Sequence, residues 1–389
     1  MSDSPIRIDH DDRHDSLRLI PWWDQTRLAA ARVLVVGAGA LGNEALKNLA
    51  LMGVGHIAVI DMDHVESSNL SRSVLYRAAD AGQLKATVAA RRVAEIDPEI
   101  HITALPFNVI HQVGLGWFAD ADVVLGCLDN REARLWVNRC CWHVGTPWID
   151  AGIQEISGVV QVFQPPDGTC YECGMKEADY RLINLRYSCP LLRAEDIRQG
   201  RVPTTPTIAS IIAGWQVQEA LKLLHGLPAS ESSAMVFHGM TNHVYRTQLP
   251  RREACLSHDS WEPPIDLPTV SVSDSLEKLL DEAGKIAQQP AQAIRLQRDL
   301  ITALRCEPCQ VDQPLCQLRA MTASSEANCP HCQQTMSPEI VGRIDAQHSE
   351  LLAKSLEQLG IPAADIVTIE FEQGAVPFRL AGTTYGEPA

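Results

Sequence analysis

Apolar positions in this chain gather into short runs separated by amphipathic stretches, the pattern of strands alternating with helices. Val33–Val36 is an unbroken apolar run closed by Gly37, and it predicts a buried strand. Leu41–Met52 carries helical periodicity and stops at Gly53, while Ile57–Ile60 predicts a second strand ending on Asp61. Lys85–Ile96 predicts a helix halted by Pro98, and Val123–Cys127 and Pro147–Asp150 predict two further strands. Such alternation implies a right-handed, mostly parallel α/β sheet. Gly158–Gln164 and Met235–Leu249 alternate with period two, which predicts antiparallel strands on either side of a long helix over Thr207–Leu224.

Beyond this point the pattern changes. The Pro-rich stretch Glu262–Pro268 reads as a linker, dividing residues 1–262 from a module over 269–389. In that module Ser273–Gly284, Ala291–Leu304 and Glu350–Leu359 read as helices, and Leu359–Glu370 as a turn running into a strand.

Composition narrows the function class. The 389 residues are 46% hydrophobic and 21% charged, as in a soluble globular protein. A net charge of −15 argues against a nucleic-acid surface, which would need Lys and Arg against phosphate. No apolar stretch approaches the roughly 20 residues that span a bilayer. The N-terminal residues from Met1 lack the basic, apolar and cleavage regions of a signal peptide, so a cytoplasmic protein without membrane contact is expected. In that compartment the 12 cysteines are expected to be zinc ligands, a nucleophile or buried apolar side chains rather than disulfides.

Gly37, Gly39 and Gly42 form a glycine-rich turn between the first strand and the first long helix. There the backbone can approach a phosphate at a helix N-terminus. Asp61, ending the next strand, can accept hydrogen bonds from ribose hydroxyls. Asp63, Asn69, Arg72 and Lys85 follow within a short stretch, and two cations there suit a triphosphate better than a dinucleotide. Asp129 ends a later strand at the same edge, where its carboxylate can hold Mg²⁺.

Together the turn Gly37–Gly42, the segment Asp61–Arg72, Lys85 and Leu128-Asp129-Asn130 resemble the superfamily of ThiF, MoeB and ubiquitin-activating enzymes, over roughly residues 10–260. The resemblance implies a doubly wound, Rossmann-like, mostly parallel sheet with an antiparallel extension, and an ATP- and Mg²⁺-dependent adenylyltransferase. It places Asp61 on the ribose, Asn69, Arg72 and Lys85 on the phosphates, Leu128 beside the nucleotide and Asp129 on magnesium. The substrate implied is the C-terminal carboxylate of a ubiquitin-like or sulfur-carrier protein ending in Gly, and the implied assembly is a homodimer. Ser73 departs from the glutamine usual after the matched arginine. Near the N-terminus, Arg13 and Arg18 stand where relatives carry an arginine that reaches ATP across the dimer. In thioester-forming members a nucleophile sits on a crossover loop, here about residues 174–205, and Cys189 occupies that place. This implies transfer of the acyl group to Cys189 and then to a conjugating enzyme. A sulfur-carrier adenylyltransferase without the thioester step, or an inactive scaffold of the same fold, are the alternatives. Cys127, Cys140 and Cys141 fall in apolar patterns and are expected in the core.

Two zinc sites are expected. Cys170-x-x-Cys173 is half of a tetrahedral set, completed in the family by a second Cys-x-x-Cys. Here Cys255-x-x-His258 stands at that place, giving a Cys₃His site. Cys306, Cys309, Cys329 and Cys332 have zinc-ribbon spacing, with Cys316 and His331 close enough to confuse the ligand set. Neither set leaves an open position, so both are expected to be structural. The zinc-ribbon α+β module over 269–389 is expected to be a docking surface whose deletion spares adenylation and weakens transfer.

Overall fold

The computed structural model describes residues 12–181, 203–322 and 327–385. Its first sheet has eight strands in the order β3-β2-β1-β4-β5-β6-β7-β8. The parallel half comprises β1 (Arg32–Val36), β2 (His56–Ile60), β3 (His101–Leu105), β4 (Val123–Gly126) and β5 (Trp148–Gln154). The antiparallel half continues through β6 (Ser157–Phe163), β7 (Ser233–His238) and β8 (His243–Gln248). Strands β1, β2 and β4 are apolar almost throughout because both faces are covered.

One face is covered by α2 (Ala40–Leu51), α3 (Lys85–Ile96) and the long helix α6 (Pro206–Leu224), with the short α1 (Gln25–Ala30) alongside. The other face is covered by α4 (Gly116–Ala119) and α5 (Arg131–Val144). Order reverses between β1 and β4, so the crevice outside their carboxyl ends is the switch point where ligands bind in such folds. The sequence pattern had left β3 and α5 unmarked, and the two complete the doubly wound arrangement.

Residues from 265 onward build a second, six-stranded sheet, and here three expectations fail. The supposed linker contains β9 (Ile265–Leu267), which pairs in parallel with β14 (Gly374–Leu380) and buries Leu267 completely. The supposed helix over Ala291–Leu304 is β10 (Ala293–Cys306), paired with β11 (Val311–Leu318), β12 (Ser337–Asp345) and β13 (Ile366–Phe371). Good helix formers fill this stretch, and bulges between Arg295 and Leu300 and between Ile301 and Ala303 interrupt its two-residue alternation. Pairing along both edges then overrides local propensity.

The third failure concerns Glu350–Leu359. Only α8 (Ser349–Leu352) is helical, because Leu356 and Glu357 donate their N–H groups to Asp274 and Val272 instead of to the preceding turn. The expected helix near Ser273 is α7 (Leu276–Ala287), capped by the Ser275 hydroxyl and packed by Leu276, Leu279 and Ala283 on the second sheet.

Candidate active site

The glycine turn after β1 is shaped by close approach. Gly37 has φ +100°, and a Cβ there would lie 2.4 Å from the Cys127 carbonyl oxygen; one on Gly42 would lie 1.9 Å from the Gly37 oxygen. A Cβ on Gly39 would meet nothing within 4 Å, so that face of the turn opens into the crevice. Asp61 ties the turn to β2, since its carboxylate accepts from Ala38 N at 2.7 Å and from Asp63 N at 2.9 Å. Burial pushes the Asp61 carboxyl up, against the opposing pull of Lys85 and these two N–H groups.

Two residues that sequence reasoning did not single out fix the turn from behind. Asn43 donates to Ala38 O at 2.7 Å and accepts from Leu75 N at 2.9 Å, and the Tyr76 hydroxyl donates to the same Ala38 oxygen at 2.6 Å. A buried Asn one turn into α2 is their only sequence signal.

Lys85 opens α3 with its ammonium 2.8 Å from Asp63 and its side chain only 12% exposed. Asp63, largely in solvent, thus holds the lysine as an exchangeable counter-ion. Asn69 is nearly buried and accepts from Glu66 N at 2.9 Å, so it locks the short helical turn of Ser67–Asn69. Arg72 donates to Ser68 O at 3.0 Å and forms no ion pair among the described residues. Ser73, the departure noted above, is buried.

Across the switch point, Leu128 and Asp129 follow β4, and Asn130 caps α5 by accepting from Ala133 N at 2.8 Å. Arg134, from the first turn of α5, donates to Leu128 O at 2.6 Å and pairs with the buried Asp150 at 3.0 Å. Gln216 of α6 is fully buried and donates to Gly126 O at 3.0 Å and Ile149 O at 2.8 Å, fastening β4 to β5 beside the crevice. These second supports were also missed, since an isolated Gln or Arg carries no motif.

Among the other candidates, Arg13 pairs with the buried Asp97 at 2.9 Å, and Arg18 with Asp12 at 2.8 Å. Asp97 precedes β3, so Arg13 lies at the amino ends of the strands, away from this chain's own crevice. Cys189 and most of the crossover loop lie outside the described residues. Cys127, Cys140 and Cys141 are core, as expected, and burial pushes the Cys127 thiol up to about 12.

Both expected metal sets come together. Cys170 Sγ lies 3.7 Å from Cys173 Sγ and 3.5 Å from Cys255 Sγ, and His258 Nε2 lies 3.3 Å from Cys173 Sγ. Tetrahedral zinc with bonds of about 2.3 Å places sulfurs about 3.8 Å apart, so these spacings fit it. Trp142 stacks on the His258 ring at 4.8 Å. Between the knuckle cysteines, the fully buried Glu172 accepts from Ser257, Tyr180 and Arg139. In the second set the ligand atoms of Cys306, Cys309, Cys329 and Cys332 lie within 4.8 Å of one another. Cys316 and His331 are outside that set, and Cys316 Sγ faces Gln358 O. Among the described residues no helix is long and apolar enough to cross a membrane.

Comparison with known proteins matches the ThiF family to residues 12–257. The adenylyltransferase and sulfurtransferase MOCS3 of Mus musculus is 34% identical over 229 residues, covering 59% of this chain and 47% of that protein. The chain therefore spans about half the length of that relative. The sulfur carrier protein ThiS adenylyltransferase of Escherichia coli is 29% identical over 232 residues, covering 59% of this chain and 87% of that protein. Ubiquitin-like modifier-activating enzyme 5 of Dictyostelium discoideum is 31% identical over 206 residues, covering 49% of this chain and 52% of that protein. Among solved structures, that of E. coli MccB with ATP shares the fold at a TM-score of 0.53 and 23% identity, covering 64% of this chain and 74% of that one.

Proposed function

The chain belongs to the ThiF family, and on that premise we propose that it is an ATP-dependent adenylyltransferase acting on the C-terminal carboxylate of a ubiquitin-like or sulfur-carrier protein. The observation that carries the reading is the crevice: an open glycine turn fixed by Asp61, with Lys85, Arg72 and Asp129 arranged around the same edge. The names of the sulfur-carrier adenylyltransferases and modifier-activating enzymes among its relatives support the substrate class.

In the proposed reaction a carboxylate oxygen of the carrier attacks the α-phosphorus of ATP. A P–O bond forms, the bond to the β-phosphate bridge breaks, and pyrophosphate leaves. No general base is needed, so the chain's task is to position and to neutralise charge. The N–H groups of residues 39–42 face the phosphates at the start of α2, and Asp61 accepts from the ribose hydroxyls. Lys85 exchanges Asp63 for phosphate oxygens, and the Asp63 carboxylate, already 55% exposed, is released to water. Arg72 presents its guanidinium to the terminal phosphates, and Asn69 holds the loop from which it projects. Asp129 would hold Mg²⁺, which supplies charge neutralisation on the phosphates when bound. The two cysteine-rich sets would hold structural zinc, and residues 1–262 and 269–389 are taken as the adenylating unit and its appended module.

The finer step is transfer of the acyl group to Cys189: its thiolate attacks the acyl carbon, a thioester forms and AMP leaves. The modifier-activating relatives support this step, and the sulfur-carrier relatives support stopping at the adenylate. A non-reducing gel of the protein with ATP, Mg²⁺ and a glycine-terminated carrier separates them. An adduct sensitive to dithiothreitol and lost in Cys189→Ala is expected; its absence while pyrophosphate exchange persists would leave the sulfur-carrier reading.

A further inference from the structure

The second sheet holds a loop that borders the crevice. Phosphates at the start of α2 and a ribose at Asp61 lie along the line from β1 to β2, so the base extends toward the next strand, β3. Residues 106–115 leave β3 at that edge, and Asn108 Nδ2 lies 3.2 Å from Met62 Sδ, directly after Asp61. Met62 and Phe107 stand there 52% and 40% exposed, two large apolar side chains without cover where a flat base would lie. Within the loop, Asn108 accepts from Ile110 N at 2.8 Å, and Gln112 accepts from Asn108 N at 2.9 Å.

The outer half of this loop is held by the C-terminal sheet. Arg298 of β10 donates from Nε to Ile110 O at 2.8 Å and from Nη2 to Val113 O at 3.0 Å. Its Nη1 pairs with Asp365 at 2.8 Å, and the other Asp365 oxygen accepts from Leu115 N at 2.8 Å. The guanidinium lies 4.9 Å from the centre of the Trp136 ring on α5. Both charged side chains are buried, at 9% and 2% exposure, and the fork divides its donors between two loop carbonyls and Asp365. A second attachment lies at the opposite edge, where Arg379 and Thr384 donate to Asp120, Arg379 at 2.6 Å, just before β4.

We propose that Arg298 and Asp365 are positioning residues of the nucleotide site, holding loop 106–115 where its Phe107–Asn108 end closes the base side of the crevice. The inference rests on reading the crevice as an ATP site. It makes the C-terminal module part of nucleotide recognition as well as an appendage to it.

Titration calorimetry on the full-length protein tests this, with ATP and inorganic tripolyphosphate as the two probes. Arg298→Gln is expected to weaken ATP by about tenfold or more while leaving tripolyphosphate within about twofold, because only the base side moves. Asn108→Ala, a variant with no buried charge to lose, is expected to do the same in smaller measure. Asp120→Asn breaks the far attachment and is expected to change neither affinity, which controls for general loosening. Amide exchange at Leu115 is expected to quicken in Arg298→Gln and not in Asp120→Asn. Wild-type ATP affinity in both Arg298→Gln and Asn108→Ala overturns this inference alone. Equal loss of both probes in Arg298→Gln overturns it too, since that is a global effect. Failure of the wild-type protein to bind ATP overturns it together with the proposed function.

Discussion

Gly39 and Gly42 stand three residues apart, yet the structure gives them opposite sensitivities. A methyl on Gly42 would collide with the Gly37 carbonyl, so Gly42→Ala is expected to cost about 1–3 kcal/mol of stability. A methyl on Gly39 meets no protein atom; Gly39→Ala should keep wild-type stability within about 0.5 kcal/mol and still weaken ATP by intruding on the phosphates. Thermal melting beside calorimetry checks both, and unaltered ATP affinity in Gly39→Ala would count against the phosphate assignment. Asp61 supplies a pH test. Its carboxyl titrates above the usual range because of burial, so ionisation, which binding to ribose hydroxyls requires, is lost as pH falls through that raised value. For stability the sign is reversed: holding the ionised group in its buried place disfavours the fold as pH rises through the same interval. ATP affinity relative to that of Asp61→Asn at each pH is expected to shrink on acidification, and a pH-independent ratio would contradict this. Asp61→Asn, which keeps one acceptor oxygen, should itself lose about 10- to 100-fold, the loss of one charge-assisted bond worth about 1.5–3 kcal/mol. At this scale the sequence pointed to residues that belonged to a contiguous motif, and the structure places Gly37, Gly42 and Asp61 in one turn. Asn43, Tyr76, Arg134 and Gln216 escaped because their work is done at long range, on carbonyls that no local pattern reveals.

Elements show the same division between local and distant causes. Strands β1, β2, β4 and β5 and the helices α2, α3 and α6 were legible because burial leaves apolar runs and clean helical periodicity, whereas the half-exposed, polar-interrupted β3 was not. β10 was not, because its bulges scramble the alternation and its helix-forming residues are overruled by partners on both edges. β9 was hidden behind Pro263-Pro264, its partner β14 lying more than a hundred residues away. The coming together of both cysteine-rich sets was legible from spacing, including the histidine in place of a fourth thiolate. Each set is expected to hold one zinc, released by a chelator with a fall in melting temperature. His258→Cys should retain the metal, whereas Cys255→Ser should release one equivalent, as read by a colorimetric zinc assay. Retention of both equivalents in Cys255→Ser would remove that residue from the ligand set.

Across the whole molecule, the two sheets share apolar packing as well as ion pairs. Ile366 and Tyr385 join the cluster of Leu115, Trp117 and Phe118 on the α4–α5 face of the first sheet. Removing residues 269–389 therefore uncovers that face and leaves Asp120 and the carbonyls of Ile110 and Val113 without their arginines. Uncovering three such side chains costs about 1.5–3 kcal/mol each, so the truncated chain is expected to melt well below the intact protein and to lose ATP affinity. The sequence, read as two units joined by a linker, had pointed to a clean deletion; a truncated chain with wild-type melting and ATP binding would restore that view. Adenylation of a carrier protein is read by pyrophosphate–ATP exchange, using a panel of glycine-terminated β-grasp proteins of the sulfur-carrier and ubiquitin-like kinds. Exchange is expected to require one such carrier with its terminal glycine intact and to fall by orders of magnitude in Arg72→Ala and Asp129→Ala. Binding of ATP with no carrier-dependent exchange from any member of the panel would contradict it.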